Sequence, residues 1–156
     1  MVTMHGTCVL LSGIGVLLRG EPGSGKSDMA LRLIDGGAQL VADDQVVLRA
    51  VDGRLTATAP DTLAGLLEVR GVGILPVPDA DSAELGLIVD LVPSERVERL
   101  PEPAREPILG VSLPRLALAA FEASAPAKLR LAAAAARAGT LGSVPAKLAA
   151  FPPATP

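Results

Sequence analysis

Gly20-Glu21-Pro22-Gly23-Ser24-Gly25-Lys26-Ser27 fits the phosphate-loop pattern G-x-x-x-x-G-K-[ST]. An apolar run, Ile14 to Leu18, comes just before it and reads as a buried strand. Ala30, Leu31, Leu33 and Ile34 follow at helix-like spacing. Strand, glycine loop and helix form the context that gives the motif meaning, because loop N–H groups and a helix N-terminus together cradle an anion. Lys26 can reach the β- and γ-phosphates of a nucleotide, and the Ser27 hydroxyl can ligate Mg²⁺. A plain glycine turn before a helix is the competing reading, and the two flanks argue against it. The fold class expected is α/β, a P-loop nucleotide-binding domain.

Working outward, Thr7 to Leu11 and Ile14 to Leu18 read as strands joined by a turn at Ser12-Gly13. The helix stops near Asp35, where Gly36-Gly37 follows. Gln39 to Ala42 is a short strand ending in Asp43-Asp44. Asp52-Gly53 between Val46–Val51 and Arg54–Thr58 is a two-residue hairpin signal. Leu66 to Val69 and Gly71 to Val77 form an apolar, glycine-punctuated stretch around Glu68 and Arg70. Leu85 to Val92 reads as a buried strand, and Pro101, Pro103 and Pro107 mark a loop. Leu116 to Phe121 reads as a final strand, and Ala125 to Ala138 has strong helix propensity. The expected organisation is one domain over residues 1–140 and an Ala/Pro-rich flexible tail over 141–156.

Composition narrows the function classes. The chain has 156 residues, a formal charge of −3, no Trp, no Tyr and two Phe, so its core must be aliphatic. No basic stripe suggests nucleic acid as a partner. No apolar segment approaches the 18 or so residues of a membrane span, and no signal peptide is evident, so a cytoplasmic location is expected. Cys8, the single cysteine, reads as an inert core thiol.

Asp43-Asp44 closes the strand after the loop's helix, and ligands in such sheets gather at strand C-termini. One carboxylate could hold Mg²⁺ through water and one could take a proton from an attacking hydroxyl. An acidic turn is the structural alternative. Glu68 could ligate a metal or simply pair with Arg70.

His5-Gly6, the loop Gly20 to Ser27, Leu40-Val41-Ala42-Asp43-Asp44 and Leu67-Glu68-Val69-Arg70-Gly71-Val72-Gly73-Ile74 occur in one order and at a spacing that resembles the catalytic domain of HPr kinase/phosphorylase, in its short, α-proteobacterial-like form. The last stretch is the most specific, and the likeness extends more weakly to about Leu131. The resemblance implies a domain similar to the nucleotide-binding part of phosphoenolpyruvate carboxykinases. It also implies ATP and Mg²⁺ as cofactors, the phosphocarrier HPr as substrate, and a homo-oligomer, in this family a hexamer. Carried over by motif, His5 is a residue of the catalytic centre, Lys26 binds phosphate, and Ser27 and Glu68 ligate Mg²⁺. Asp43 is the general base of the kinase direction. Arg99, in Val97-Glu98-Arg99-Leu100, resembles the family's active-site arginine, although a solvated arginine on a charged helix is an equal reading of the residues.

Two departures shape the expectation. Long members of the family carry an N-terminal regulatory domain, whereas here the catalytic motifs start almost at once. The family's dephosphorylation loop pattern P-V-x-x-G-R corresponds to Gly110-Val111-Ser112-Leu113-Pro114-Arg115, where only Val111 and Arg115 match. The kinase direction is therefore expected to outweigh phosphorolysis. A nucleotide-sensing module without transfer activity, and a P-loop NTPase or small-molecule kinase, are the alternatives from other classes.

Overall fold

The structure is a computed structural model and describes residues 1–143. Eleven strands and two helices follow in the order β1 (Val2–His5), β2 (Thr7–Leu11), β3 (Ile14–Arg19), α1 (Lys26–Asp35), β4 (Gln39–Ala42), β5 (Gln45–Val51), β6 (Arg54–Thr58), β7 (Leu66–Val69), β8 (Gly73–Pro76), β9 (Ala83–Leu91), β10 (Ala104–Ile108), β11 (Val111–Leu118) and α2 (Ala125–Ala138). Nine strands make one mixed sheet, ordered β1-β5-β6-β9-β3-β2-β4, with the β10–β11 hairpin joined to β9. The β7–β8 hairpin stands apart as a two-stranded sheet.

Alternation along the strands builds two cores. Val9, Val16, Leu18, Leu87 and Val89 face the helices, where Met29 and Leu33 of α1 and Leu129 of α2 cover them. Cys8, Leu17 and Ile88 point the other way and meet Val46, Leu48 and Leu55 from the β5–β6 hairpin. Cys8 is fully buried, which pushes its thiol up to about 12. That agrees with the core role expected for it, since burial disfavours the thiolate.

Strand direction decides where the site lies. β3, β9 and β11 run parallel. β4 runs the same way, because it is antiparallel to β2, which is antiparallel to β3. The C-terminal ends of all four therefore share one edge. From that edge emerge the loop after Arg19, the pair Asp43-Asp44, the turn after Leu91 and the segment Ala119–Phe121.

Three elements differ from the sequence reading. Val2–His5, which the sequence reading left unassigned, forms β1 by pairing with Gln45–Leu48. The proline-marked loop contains β10, with Pro107 opposite Ser112. Proline is tolerated there because β10 is an edge strand whose outer N–H groups need no partner in the sheet. The final strand spans Val111–Leu118 rather than Leu116 to Phe121, so Gly110 to Arg115 is a turn and a strand, not a loop. Of the tail expected over 141–156, Leu141 packs on the helix-side core, and residues 144–156 lie outside the described residues.

Candidate active site

The phosphate loop leaves β3 at Gly20 and enters α1 at Lys26. Gly25 caps the helix in the left-handed region, at φ 99. A Cβ there would stand 2.8 Å from the Ala120 Cβ and 3.0 Å from the Phe121 ring, so both backbone conformation and space demand glycine. Lys26 folds back over the loop, donating from Nζ to the Gly20 carbonyl at 2.7 Å and the Glu21 carbonyl at 3.1 Å.

Asp43 is gripped by two hydroxyls. Ser27 Oγ donates to its Oδ1 at 2.8 Å and Thr7 Oγ1 donates to the same oxygen at 2.9 Å. Thr7 is the one fully buried polar side chain among the described residues. Its neighbour in sequence, Gly6, donates its N–H to the Asp44 carbonyl at 3.1 Å, which ties β2 to the Asp43-Asp44 turn. Asp44 takes a left-handed conformation, φ 69, and its side chain is exposed. Aspartate tolerates this region better than most residues, and such strain is found preferentially at functional sites.

A cavity of about 470 Å³ gathers the rest, lined by Lys26, Ser27, Asp44, Glu68, Arg70 and Phe121. Glu68 reaches it because β7 alternates. Leu67 is buried against the helix-side core, so Glu68 turns outward. No salt bridge joins Glu68 to Arg70 among the described residues, which removes the simple pairing as its explanation. Among the described residues no three His, Cys, Asp or Glu side chains cluster as a metal cage.

His5 ends β1, exposed and opposite Gln45, one residue beyond Asp44. Arg99 is exposed in an irregular stretch, not on a helix, and lines neither cavity bordering the loop. Sequence reasoning missed Thr7 and Phe121 as site residues. A threonine inside an otherwise apolar strand was the available signal for the first. The second could have been found from its rarity, as one of two aromatics in the chain.

Residues 1–146 match the family model described as HPr Serine kinase C-terminal domain. The chain belongs to this family. Its HPr serine kinase C-terminal domain is 43% identical over 95 residues to the HPr kinase/phosphorylase of Clostridium tetani (strain Massachusetts / E88), a match covering 56% of this chain and 31% of that protein. It is 52% identical over 75 residues to the HPr kinase/phosphorylase of Clostridium novyi (strain NT), covering 48% and 24%. The matches thus span less than a third of these curated relatives. The solved structure of the Hpr(Ser) kinase/phosphatase from Coxiella burnetii superposes with a TM-score of 0.80 at 28% identity, covering 89% of this chain and 98% of that one. The α/β phosphate-loop fold expected from Gly20 to Ser27 is therefore the family's fold.

Proposed function

We propose that this domain is an ATP-dependent, Mg²⁺-requiring serine kinase acting on the phosphocarrier HPr. The carrying observation is the junction of Lys26, Ser27, Asp44 and Glu68 around one cavity in a domain of the HPr serine kinase family. The loop N–H groups and the α1 N-terminus bind the phosphates. Lys26 exchanges its two backbone carbonyls for phosphate oxygens, a favourable trade for a cation. Ser27 and Glu68 would hold Mg²⁺, which would supply neutralisation of charge on the transferring phosphates. Asp43 fixes the Ser27 hydroxyl, and Thr7 fixes Asp43.

The proton acceptor in this reading is Asp44, not Asp43 as the motif suggested. Asp43 has one carboxylate oxygen occupied by two donors, whereas Asp44 opens into the cavity. The serine O–H proton passes to the Asp44 carboxylate as the serine oxygen bonds to the γ-phosphorus and the bond to ADP breaks. His5 stands beside this turn, paired with Gln45 at the end of β1. Arg99 has no part in the scheme as placed. Arg115 is held by Asp90 and Glu106, which supports weak phosphorolysis.

No helix among the described residues is long and apolar enough to cross a membrane, and the proposed location is the cytoplasm. Val72 and Ile74 on the two-stranded β7–β8 hairpin are each 68% exposed, which supports burial in a homo-oligomer. Incubation with γ-labelled ATP, Mg²⁺ and HPr tests the central reading. Label on an HPr serine is expected. Label released only as inorganic phosphate would make the domain an NTPase, and nucleotide bound without turnover would make it a sensor.

A further inference from the structure

Phe121 is the only aromatic side chain among the described residues, and the fold does not use it as core. It is 71% exposed, whereas Ala119 and Ala120 before it are buried. It follows the C-terminal end of β11, at the sheet edge that carries the phosphate loop. Its backbone is pinned there. Arg32 of α1 donates to the Ala120 carbonyl, and Arg32 is itself paired with Asp28 at 2.9 Å. The ring edge stands against Gly25, one residue before Lys26. Phe121 also borders both cavities, the one holding Lys26 and Glu68 and a larger one of about 1320 Å³ bounded by Gly20–Ser24.

We propose that Phe121 is the stacking platform for the nucleobase of the nucleotide whose phosphates the loop holds. This rests on the phosphate-donor reading above. A ring whose edge meets Gly25 of the loop, with most of its surface exposed, stands close to any phosphate bound there. The larger cavity beside it has room for base and ribose. A protein substrate could also use an exposed ring. The ring's contact with the phosphate loop itself, rather than with the outer surface, favours the base.

Affinities of ATP and of tripolyphosphate, which carries phosphates without a base, test the proposal in the wild type, Phe121→Ala and Phe121→Trp. Losing one base–aromatic stack weakens binding by about 5- to 150-fold. Phe121→Ala is expected to weaken ATP by that factor and leave tripolyphosphate unchanged. Phe121→Trp keeps ATP affinity, and its indole, the only one in the chain, changes fluorescence when ATP binds but not when tripolyphosphate does. Equal weakening of both ligands in Phe121→Ala overturns the proposal, because the ring would then only brace the loop. Unchanged ATP affinity with a raised KM for HPr overturns it in favour of protein docking. A wild type that binds neither ligand overturns the phosphate-donor reading itself, and this one with it.

Discussion

Arg19 closes β3 and Lys26 opens α1, and the two cations sit in opposite surroundings. Arg19 is saturated. It donates to Asp90 at 2.9 and 3.3 Å and to Glu106 at 2.6 and 2.9 Å. Arg115 reaches the same two carboxylates at 2.6 and 3.2 Å. The bond to Glu106, foremost, raises the Arg19 pKa. Lys26 holds only two carbonyls of its own loop. The contrast separates a cation used to lock β3, β9, β10 and β11 together from one kept ready to exchange partners. Charge in a protein is structural where its partners are fixed opposite charges, and functional where they are weak and replaceable.

The sharpest break in that contrast is to remove each cation in turn. Lys26→Ala should lower the rate of HPr phosphorylation by about 10³-fold or more, the scale of cations that stabilise a transferring phosphoryl group. Its unfolding free energy, from a urea titration, should change by no more than about 0.5 kcal/mol. Arg19→Met should do the reverse to stability, costing about 1–3 kcal/mol, because Asp90 and Glu106 lose a charged partner while partly buried. Comparable stability losses in both variants would erase the distinction drawn here.

Within the functional cluster the same logic divides the two aspartates. Asp44→Asn should lower kcat by about 10²-fold or more with ATP affinity kept, as expected for loss of a general base. Asp43→Asn should instead raise the Mg²⁺ concentration needed for half-maximal rate, since it loosens Ser27. Steady-state kinetics across a Mg²⁺ titration reads both. Should Asp43→Asn abolish turnover at saturating Mg²⁺ while Asp44→Asn stays active, the base returns to Asp43.

Much of this was legible in the chain because local rules and tertiary context agree there. The loop motif, the Asp52-Gly53 hairpin, β2, β4 and the span of α2 each carry a signal within a few residues: glycine spacing, a turn dipeptide, or an apolar run ending at a cap. Strands whose reason lies elsewhere in the sequence were not legible. β1 alternates apolar Val2 and Met4 with polar Thr3 and His5, but over only four residues, and it forms because Val46 to Leu48 offer it an edge. β10 contains Pro107, which locally argues for a loop, and it is held by Arg19 from β3, 87 residues away in sequence. The site shows the same split. Lys26 and Ser27 declare themselves by spacing. Thr7 acquires its role only when β2 is laid beside β4, which puts its hydroxyl on Asp43.

Thr7→Val tests that long-range contact with little change in volume. It removes a hydrogen bond to a carboxylate and should cost about 1–2 kcal/mol of stability. Asp43 would then depend on Ser27 alone, so the Mg²⁺ requirement should rise in the direction of Asp43→Asn but less far. Thr7→Ser, which restores the hydroxyl, should bring the Mg²⁺ requirement back even if the lost methyl keeps stability low. A Mg²⁺ curve unmoved in Thr7→Val would reduce the threonine to a packing residue.

The smallest effect belongs to the saturated cluster and is a pH effect. The Arg19 guanidinium, by hydrogen bond first and charge second, holds the Glu106 carboxyl below the ordinary glutamate range. A carboxyl with a lowered folded-state pKa binds its proton more weakly folded than unfolded. Its contribution is therefore present in full above the unfolded value of about 4.3 and is lost as pH falls through the folded value. Glu106 is a quarter exposed and shares its partner with Asp90, so solvent screening keeps the term small, on the order of 1 kcal/mol or less. Glu106→Gln should be less stable than the wild type by that amount at pH 7. The two unfolding midpoints should converge as the pH is taken from 5 to about 3. A gap that persists unchanged at the acid end would mean that the glutamine fails through shape or hydrogen bonding, and that the charge on Glu106 adds nothing to the lock between β3 and β10.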